Sequence, residues 1–469
     1  MTMDNRLICR TMNAIGLLGL CLLLTGAPVT AADMPESGPT TTTAQPAAVS
    51  GPTETSAVST AGTATAPAGR AKPGTLFTLQ QCIDIALQRN PSISAAEYAV
   101  NAADARVGQA RSGYYPQVSL SGGYSKYSSI GDPTNSSQNL YQGNATLTQN
   151  IFDFGKTPSQ VRIQRLNENS ARSDKRNTVS LVVFNVKQAY YNLLQAEKNR
   201  DVAIETVKLT QEQLAQAKGF FEAGVKSRYD VTTAEVNLSN ARLAQIRADN
   251  EVQIARVTLK NTMGAPDLPD FVIEDTLAFH KTPITFEEAI PRAYANRPDL
   301  QSVRAKQEAS KESVSLARSG YYPTLTGNAN YTRVDDTFVP EPSGWSAGVT
   351  LNFPLFNGFL TNYQVKEAKQ NMYQQKANEE SLRQSIVLDV QQAYLNLRAF
   401  EDGVAVAELT VQQSQENYDI ATGRYNAGVG SPLDVTSALV GLSNAKTNFI
   451  AALANYKIAE AALLKAMGE

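Results

Sequence analysis

The chain carries a second copy of itself, and that duplication limits the folds open to it more than any other feature. The run RSGYYP at Arg111–Pro116 recurs at Arg318–Pro323, an offset of 207. Asn90-Pro91 meets Arg297-Pro298 at the same offset. Further on, VKQAYYNL at Val186–Leu193 is answered by VQQAYLNL at Val390–Leu397, now at 204. Between 223–242 and 427–446, 13 of 20 positions are identical, so these stretches are where the copies differ least. Met263-Gly264 is echoed by Met467-Gly468. The three-residue change in offset falls between Tyr124 and Leu147, which marks a loop. The copies therefore span 78–264 and 285–468, with a Pro-containing linker over 265–284, and each must be a complete structural unit.

Each copy begins with two short helices, the second opened by Pro91 or Pro298 at its first turn. The period then changes to two. Val118, Leu120, Gly122 and Tyr124 alternate with Ser119, Ser121, Gly123 and Ser125. Tyr141, Gly143, Ala145 and Leu147 alternate with Gln142, Asn144, Thr146 and Thr148. The second copy repeats the pattern with Leu325–Tyr331 and Trp345–Phe353. Strands are expected at about 117–127, 141–152, 324–334 and 344–353, the length of a tilted membrane β-strand. Tyr114, Tyr115, Phe152, Phe154, Tyr321, Tyr322, Phe353 and Phe356 all fall at the same end of the two hairpins. That placement is expected of an aromatic girdle at a membrane–water interface.

After each hairpin the chain turns helical, over 156–220 and 360–424, and returns over 228–263 and 432–467. Val179, Val182, Val186, Ala189, Leu193 and Ala196 follow the 3-4 spacing of a coiled-coil seam. A helix of this length reaches roughly 100 Å. The return helix and the pre-strand helix together reach roughly 87 Å, so stacked end to end they nearly match one long helix.

Composition excludes other classes. Lys and Arg number 42 against 44 Asp and Glu, a net charge of −2, without the basic surplus of a nucleic-acid binder. One His (His280) and three Cys offer neither a His-rich metal site nor a disulfide framework. Residues 1–32 read as a Sec-type leader: Arg6 and Arg10, an apolar run from Ala14 to Leu24, then Val29-Thr30-Ala31. Cys9 and Cys21 would leave with it, and Leu20 before Cys21 argues against a lipid anchor. Residues 33–77 are rich in Thr, Ala and Pro and read as a disordered periplasmic tail. Asp153-Phe154-Gly155 and Gly155-Lys156-Thr157 mimic kinase and phosphate-loop fragments. They lack an H-R-D partner and a glycine at position 150, and are chance matches at a strand–helix joint. Cys82 reads as a packing residue. No nucleophile–base or metal constellation is present, so no enzyme activity and no cofactor is expected.

Four strands cannot close on themselves, and lipid does not tolerate open edges. Two copies would give eight strands, a barrel filled by its own side chains; three give twelve and a lumen. Polar faces of Ser, Thr, Asn and Gln suit a wetted interior. The expected fold is a mixed α and β membrane protein: a trimeric 12-stranded antiparallel β-barrel, four strands per chain, continued by a long periplasmic α-helical coiled-coil barrel, with two internal repeats.

The N-P and RSGYYP motifs, the duplicated strand–helix halves and the two A-G-V-x-S-x-x-D-V tips resemble the TolC-like outer-membrane efflux proteins over 78–468. The resemblance implies a homotrimeric channel in outer-membrane lipid of a Gram-negative bacterium. It also implies docking to a periplasmic adaptor and to an inner-membrane pump or ABC transporter of efflux or type I secretion. It implies adaptor-docking tips at Gly224, Val225, Ser227, Gly428, Val429 and Ser431, and a periplasmic gate at Asp230, Asp434 and Tyr425. Where the family's prototype has Arg and a second acid, this chain has Gly430 and Ser437; Lys226 or Arg228 stand nearby. Ser227 and Ser431, with Asp230 and Asp434 three residues on, also match helix capping boxes. The alternative is a periplasmic coiled-coil adaptor or scaffold without a pore.

Overall fold

The computed structural model describes residues 74, 76–128, 137–338 and 343–469. The expected leader over 1–32 and the tail through residue 73 lie outside the described residues, as does the centre of the loop where the copies differ in length. The chain runs β1 (Leu76–Phe77), α1 (Leu79–Arg89), α2 (Pro91–Arg111), β2 (Gln117–Ser128), β3 (Ser137–Phe152), α3 (Lys156–Glu222) and α4 (Arg228–Thr262). It continues with β4 (Val272–Ile273), α5 (Phe286–Asn296), α6 (Pro298–Ser319), β5 (Thr324–Asp335), β6 (Ser343–Asn352), α7 (Leu360–Asn426) and α8 (Pro432–Met467). Both α3 and α7 are 67 residues long, about 100 Å each.

The seam on α3 is the reason it forms one uninterrupted rod. Val182, Val186, Ala189, Leu193 and Ala196 are buried, and they share a core with Cys82, Leu259, Met263 and Phe271. Ile386, Val390 and Leu397 of α7 do the same with Leu300, Tyr456 and Leu463. Full burial of each such Leu or Ile contributes about 1.5–3 kcal/mol. α3 packs on α2, α4, α6 and α8, while α7 packs on α6 and α8.

One expectation is corrected. Leu76 and Phe77, assigned to a disordered tail, form β1, which pairs in parallel with β4 inside the linker. Phe77 is buried against Phe271, with ring centroids 5.0 Å apart. The cause is non-local, because two residues have no strand pattern until the linker supplies a partner.

The echoed Met-Gly pairs have a steric explanation. Gly264 and Gly468 end α4 and α8 at φ +69° and +81°. A Cβ on Gly264 would lie 2.7 Å from the Asn90 Cα, and one on Gly468 2.7 Å from the Arg297 N. The Asn-Pro and Arg-Pro motifs are thus the partners of the Met-Gly motifs. Asn90 Nδ2 donates to the Thr262 carbonyl at 2.9 Å, and Arg297 Nη1 to the Ala466 carbonyl at 3.4 Å.

Candidate functional site

The sheet has the order β2-β3-β5-β6, antiparallel throughout. Paired residues share a face, so register decides which side chains line up. Val118, Leu147, Ala329 and Ala347 form one row, and Leu120, Ala145, Tyr331 and Trp345 the next. The intervening rows are Ser119, Thr146, Asn330 and Ser346, then Ser121, Asn144, Thr332 and Gly344. One face is therefore apolar across all four strands and the other polar. Leu120 and Trp345 are 85% and 80% exposed, so the apolar face is open. β2 and β6 are exposed along their whole length, and among the described residues neither edge of the sheet has a further strand beside it.

The polar face holds a closed ring of hydrogen bonds. Asn144 Nδ2 donates to Thr146 Oγ1 (3.0 Å), Thr146 Oγ1 to Asn330 Oδ1 (2.9 Å), Asn330 Nδ2 to Thr332 Oγ1 (3.0 Å), and Thr332 Oγ1 to Asn144 Oδ1 (2.9 Å). Sequence reading missed this ring. Its signal was the Asn-x-Thr spacing present in both β3 and β5.

The eight aromatics expected to form a girdle lie at one end of the sheet and all are exposed. Tyr114 and Tyr115 precede β2, Phe152 ends β3, Tyr321 and Tyr322 precede β5, and Phe353 and Phe356 follow β6. Phe154 stacks on Tyr322 at 5.5 Å and meets Phe152 edge-on at 4.7 Å.

At this end each strand bends into its long helix through two left-handed residues. They are Phe154 and Gly155 before α3, and Gly358 and Phe359 before α7, with glycine and phenylalanine in reversed order. Asp153 is buried here; its Oδ2 accepts from Thr157 N at 2.8 Å and from Asn150 Nδ2 at 2.7 Å. Burial pushes the Asp153 carboxyl upward, but the Thr157 and Asn150 hydrogen bonds outweigh it and hold the carboxyl below its ordinary value. Asn357 replaces it in the second half and donates to Thr361 Oγ1 at 2.6 Å. The glycines of the two RSGYYP runs leave room for these threonines. A Cβ on Gly113 would lie 3.2 Å from Thr157 Cγ2, and one on Gly320 3.1 Å from Thr361 Cγ2.

The tips lie at the far ends of the rods. Gly224 and Gly428 have φ +71° and +79°. Val225 N donates to the Phe220 carbonyl at 2.9 Å and Gly224 N to the Phe221 carbonyl at 3.0 Å, a Schellman turn. Val429 and Gly428 repeat it on Arg424 and Tyr425. Val225 and Val429 are exposed. Ser431 caps α8: its Oγ accepts from Leu433 N at 3.2 Å, and its own N–H donates to Asp434 Oδ2 at 3.3 Å. Ser227 differs from expectation, since its side chain makes no cap hydrogen bond to α4.

The expected gate residues separate into two settings. Asp434 is exposed and engaged in the α8 cap. Asp230 and Tyr425 instead line one small cleft of about 20 Å³, with Gln213, Asn237, Pro432 and Thr436. Tyr425 is buried, lies 5.7 Å from Phe220 and has Lys226 Nζ 5.2 Å from its ring centroid. Burial, and then the Asp230 charge, push the Tyr425 hydroxyl upward. Gly430 lies where a Cβ would be 2.8 Å from Tyr425 N. The second tip is thus closed down on the end of α7 where the first carries Lys226.

Among the described residues no helix is long and apolar enough to cross a membrane, which leaves the sheet as the element with a continuous apolar face. Two paired hairpins joined to two 67-residue rods, with shorter helices packed along them, define a class: proteins that carry a sheet with a bare apolar face on long paired helices. The profile of the family described as "Outer membrane efflux protein" matches residues 82–265 and 289–469, and the chain belongs to that family. It is 24% identical over 412 residues to the outer membrane protein TolC of Escherichia coli K12, covering 83% of this chain and 82% of that protein. It is 26% identical over 404 residues to protein CyaE of Bordetella pertussis, covering 84% of each. Among solved structures, the Campylobacter jejuni CmeC outer membrane channel shares the fold: TM-score 0.73 at 21% identity, over 83% of this chain and 85% of that one. The chain is an outer-membrane protein of the TolC family, whose members are channels.

Proposed function

We propose that three copies of this chain form an outer-membrane export duct. In it a 12-stranded barrel continues into a periplasmic tube of twelve helical rods. The observation that carries the reading is the register of the sheet. All four strands turn one apolar face the same way, both edges are unpaired, and the edges differ. β2, α2 and α4 lie at one edge, β6 and α7 at the other. Unlike edges make a head-to-tail contact, and a head-to-tail contact that closes makes a ring. Closure satisfies every strand, as lipid requires. The polar face, with the Asn144–Thr332 ring, then lines the lumen, and the girdle aromatics mark its periplasmic rim. Membership of an outer-membrane efflux family favours this duct over a poreless scaffold.

The tips Gly224, Val225, Ser227, Gly428, Val429 and Ser431 receive a periplasmic adaptor, and the adaptor joins the duct to an inner-membrane pump or ABC transporter. Small molecules or secreted polypeptides are the cargo and the partner supplies the energy. Asp230, Asp434 and Tyr425 form the periplasmic gate, where acidic groups converging on one axis attract cations. Purified protein in a planar lipid bilayer tests the duct. Discrete ion-conducting steps are expected; a monomer that needs no detergent and conducts nothing overturns it.

A further inference from the structure

A cation interrupts the apolar face of the sheet. Arg333 of β5 is two residues beyond Tyr331, so it shares that residue's face. It is exposed, and its register partners are Gly143 on β3 and Ser343 on β6. Gly122 of β2 completes the row through its pairing with Gly143. Arg333 Nε donates to the Tyr331 hydroxyl at 3.2 Å, which ties the guanidinium to the sheet surface but leaves its charge unanswered. Asp335, the next residue on this face, is engaged at the strand's own end. Its Oδ1 accepts from Asp336 N at 2.7 Å and its Oδ2 from Thr337 Oγ1 at 3.0 Å.

Depth accounts for a charge at this position. Leu325 pairs with Phe152 of the expected girdle. The eight residues from there to Arg333 span about 27 Å of strand. At a tilt of about 40° this is about 21 Å along the membrane normal, against an apolar band about 25 Å tall. Arg333 therefore stands at the outward edge of the band, where an arginine facing lipid costs far less than at mid-depth. Tyr331 and Trp345, one row inward, are exposed, as interfacial aromatics are. Lys126, two residues beyond Tyr124, is also exposed and adds a second cation farther out on the same face.

Beside the guanidinium the surface is hollow. A Cβ on Gly143 would meet nothing within 4 Å, and one on Gly122 only the Gln142 carbonyl oxygen, at 3.9 Å. Neither glycine has a left-handed backbone. Among the described residues, then, neither packing nor backbone calls for glycine, and a glycine inside a strand marks close approach by another group. Tyr124 and Tyr141, with ring centroids 5.0 Å apart, bound the hollow outward. Leu120 and Ala145 bound it inward, and Arg333 closes its β5 side.

We infer, on the basis of the duct proposed above, that this hollow receives a phosphorylated glycolipid of the outer leaflet, with its phosphate on Arg333. A guanidinium offers two parallel N–H donors to phosphate oxygens. A sugar ring lies over Gly122 and Gly143, and its acyl chains run inward along Leu120, Val118 and Leu147. A diacyl phospholipid would bring the same phosphate. The glycolipid is favoured because the hollow lies at the end of the sheet away from the periplasmic helices, where the leaflet is built of it.

Trp345 is the chain's single tryptophan and pairs with Tyr331, so its fluorescence reports on the site. Purified full-length protein in detergent is titrated with bisphosphorylated lipid A. A saturable fluorescence change is expected, and native mass spectrometry should retain up to three lipid A molecules per trimer. Arg333→Gln should raise the midpoint about tenfold. Gly143→Val fills the hollow with a good strand residue, so it should weaken lipid A binding while heat-modifiable migration stays that of wild type. Dephosphorylated lipid A and phosphatidylglycerol should each bind about tenfold more weakly than lipid A. Unchanged lipid A binding in both variants overturns the site. Equal midpoints for lipid A and phosphatidylglycerol overturn the glycolipid as its occupant. In either case a conducting trimer leaves the duct standing. A wild-type monomer that conducts nothing overturns the duct, and the site with it.

Discussion

Thr146 of β3 and Asn330 of β5 face one another where the two hairpins meet, and the Thr146 hydroxyl donates to the Asn330 amide oxygen at 2.9 Å. With Asn144 and Thr332 they satisfy one another around a closed ring, on the face that lacks apolar packing. Loss of one member strands its neighbours' polar atoms, at about 1–3 kcal/mol for a half-buried site. Asn330→Ala is therefore expected to lower the temperature at which the detergent-solubilised protein loses its compact migration on gels. Thr146→Val should do the same. Equal migration at all temperatures for both variants would remove the ring from the account of how the hairpins hold register.

Gly264 and Gly468 combine a left-handed backbone with a contact too close for a methyl group. Gly264→Ala or Gly468→Ala should each cost about 2–4 kcal/mol, the sum of backbone strain and overpacking. Thermal unfolding followed by circular dichroism reads the change. Gly123→Ala serves as a control, since no heavy atom lies within 4 Å of its Cβ position. Midpoints for the Gly264 and Gly468 variants that match the control would show that the helix ends shift freely.

Asp153 predicts an acid-sensitive joint. Its folded carboxyl titrates below its unfolded value of about 3.9. Its stabilisation is complete above about pH 4 and is lost as the pH falls through the folded value. Asp153→Asn copies the second half's Asn357. The variant should unfold at a lower temperature than wild type at pH 7, with the gap narrowing as the pH falls below the ordinary carboxylate value of about 3.9. Parallel curves down to pH 3 would contradict this role.

The gate assignment predicts that Asp230→Ala combined with Asp434→Ala raises single-channel conductance in planar bilayers. Asp434 also caps α8, so fraying of the tip must be separated from loss of charge. Ser431→Ala removes the capping oxygen while keeping both carboxylates, at about 1 kcal/mol to the helix start. It should leave conductance unchanged. Equal conductance of the double variant and wild type would take both carboxylates out of the gate.

Much of the fold was legible locally. Alternation marked the four strands because each turns its apolar residues to the same face of the sheet, and the 3-4 seam marked α3 because one stripe of it is buried. The tip glycines were legible because a Schellman turn needs a left-handed residue. Residues 76–77 were not, because β1 exists only through β4. Nor was the division of the proposed gate residues, since Asp434 turns back on its own helix while Asp230 and Tyr425 line one cleft between α3, α4, α7 and α8. The partnership of Asn90 with Gly264 was visible only as two separate repeated motifs.

What the sequence alone determined is the type, approximate extent and duplication of the long strands and helices, because periodicity records which side of a single strand or helix is buried. Tertiary structure decided what those sides meet. Four apolar faces coincide only through the hairpin registers, and the Met-Gly motifs acquire a purpose only against the Pro joints. These are sums of contacts between residues far apart in the chain, and no local pattern carries them.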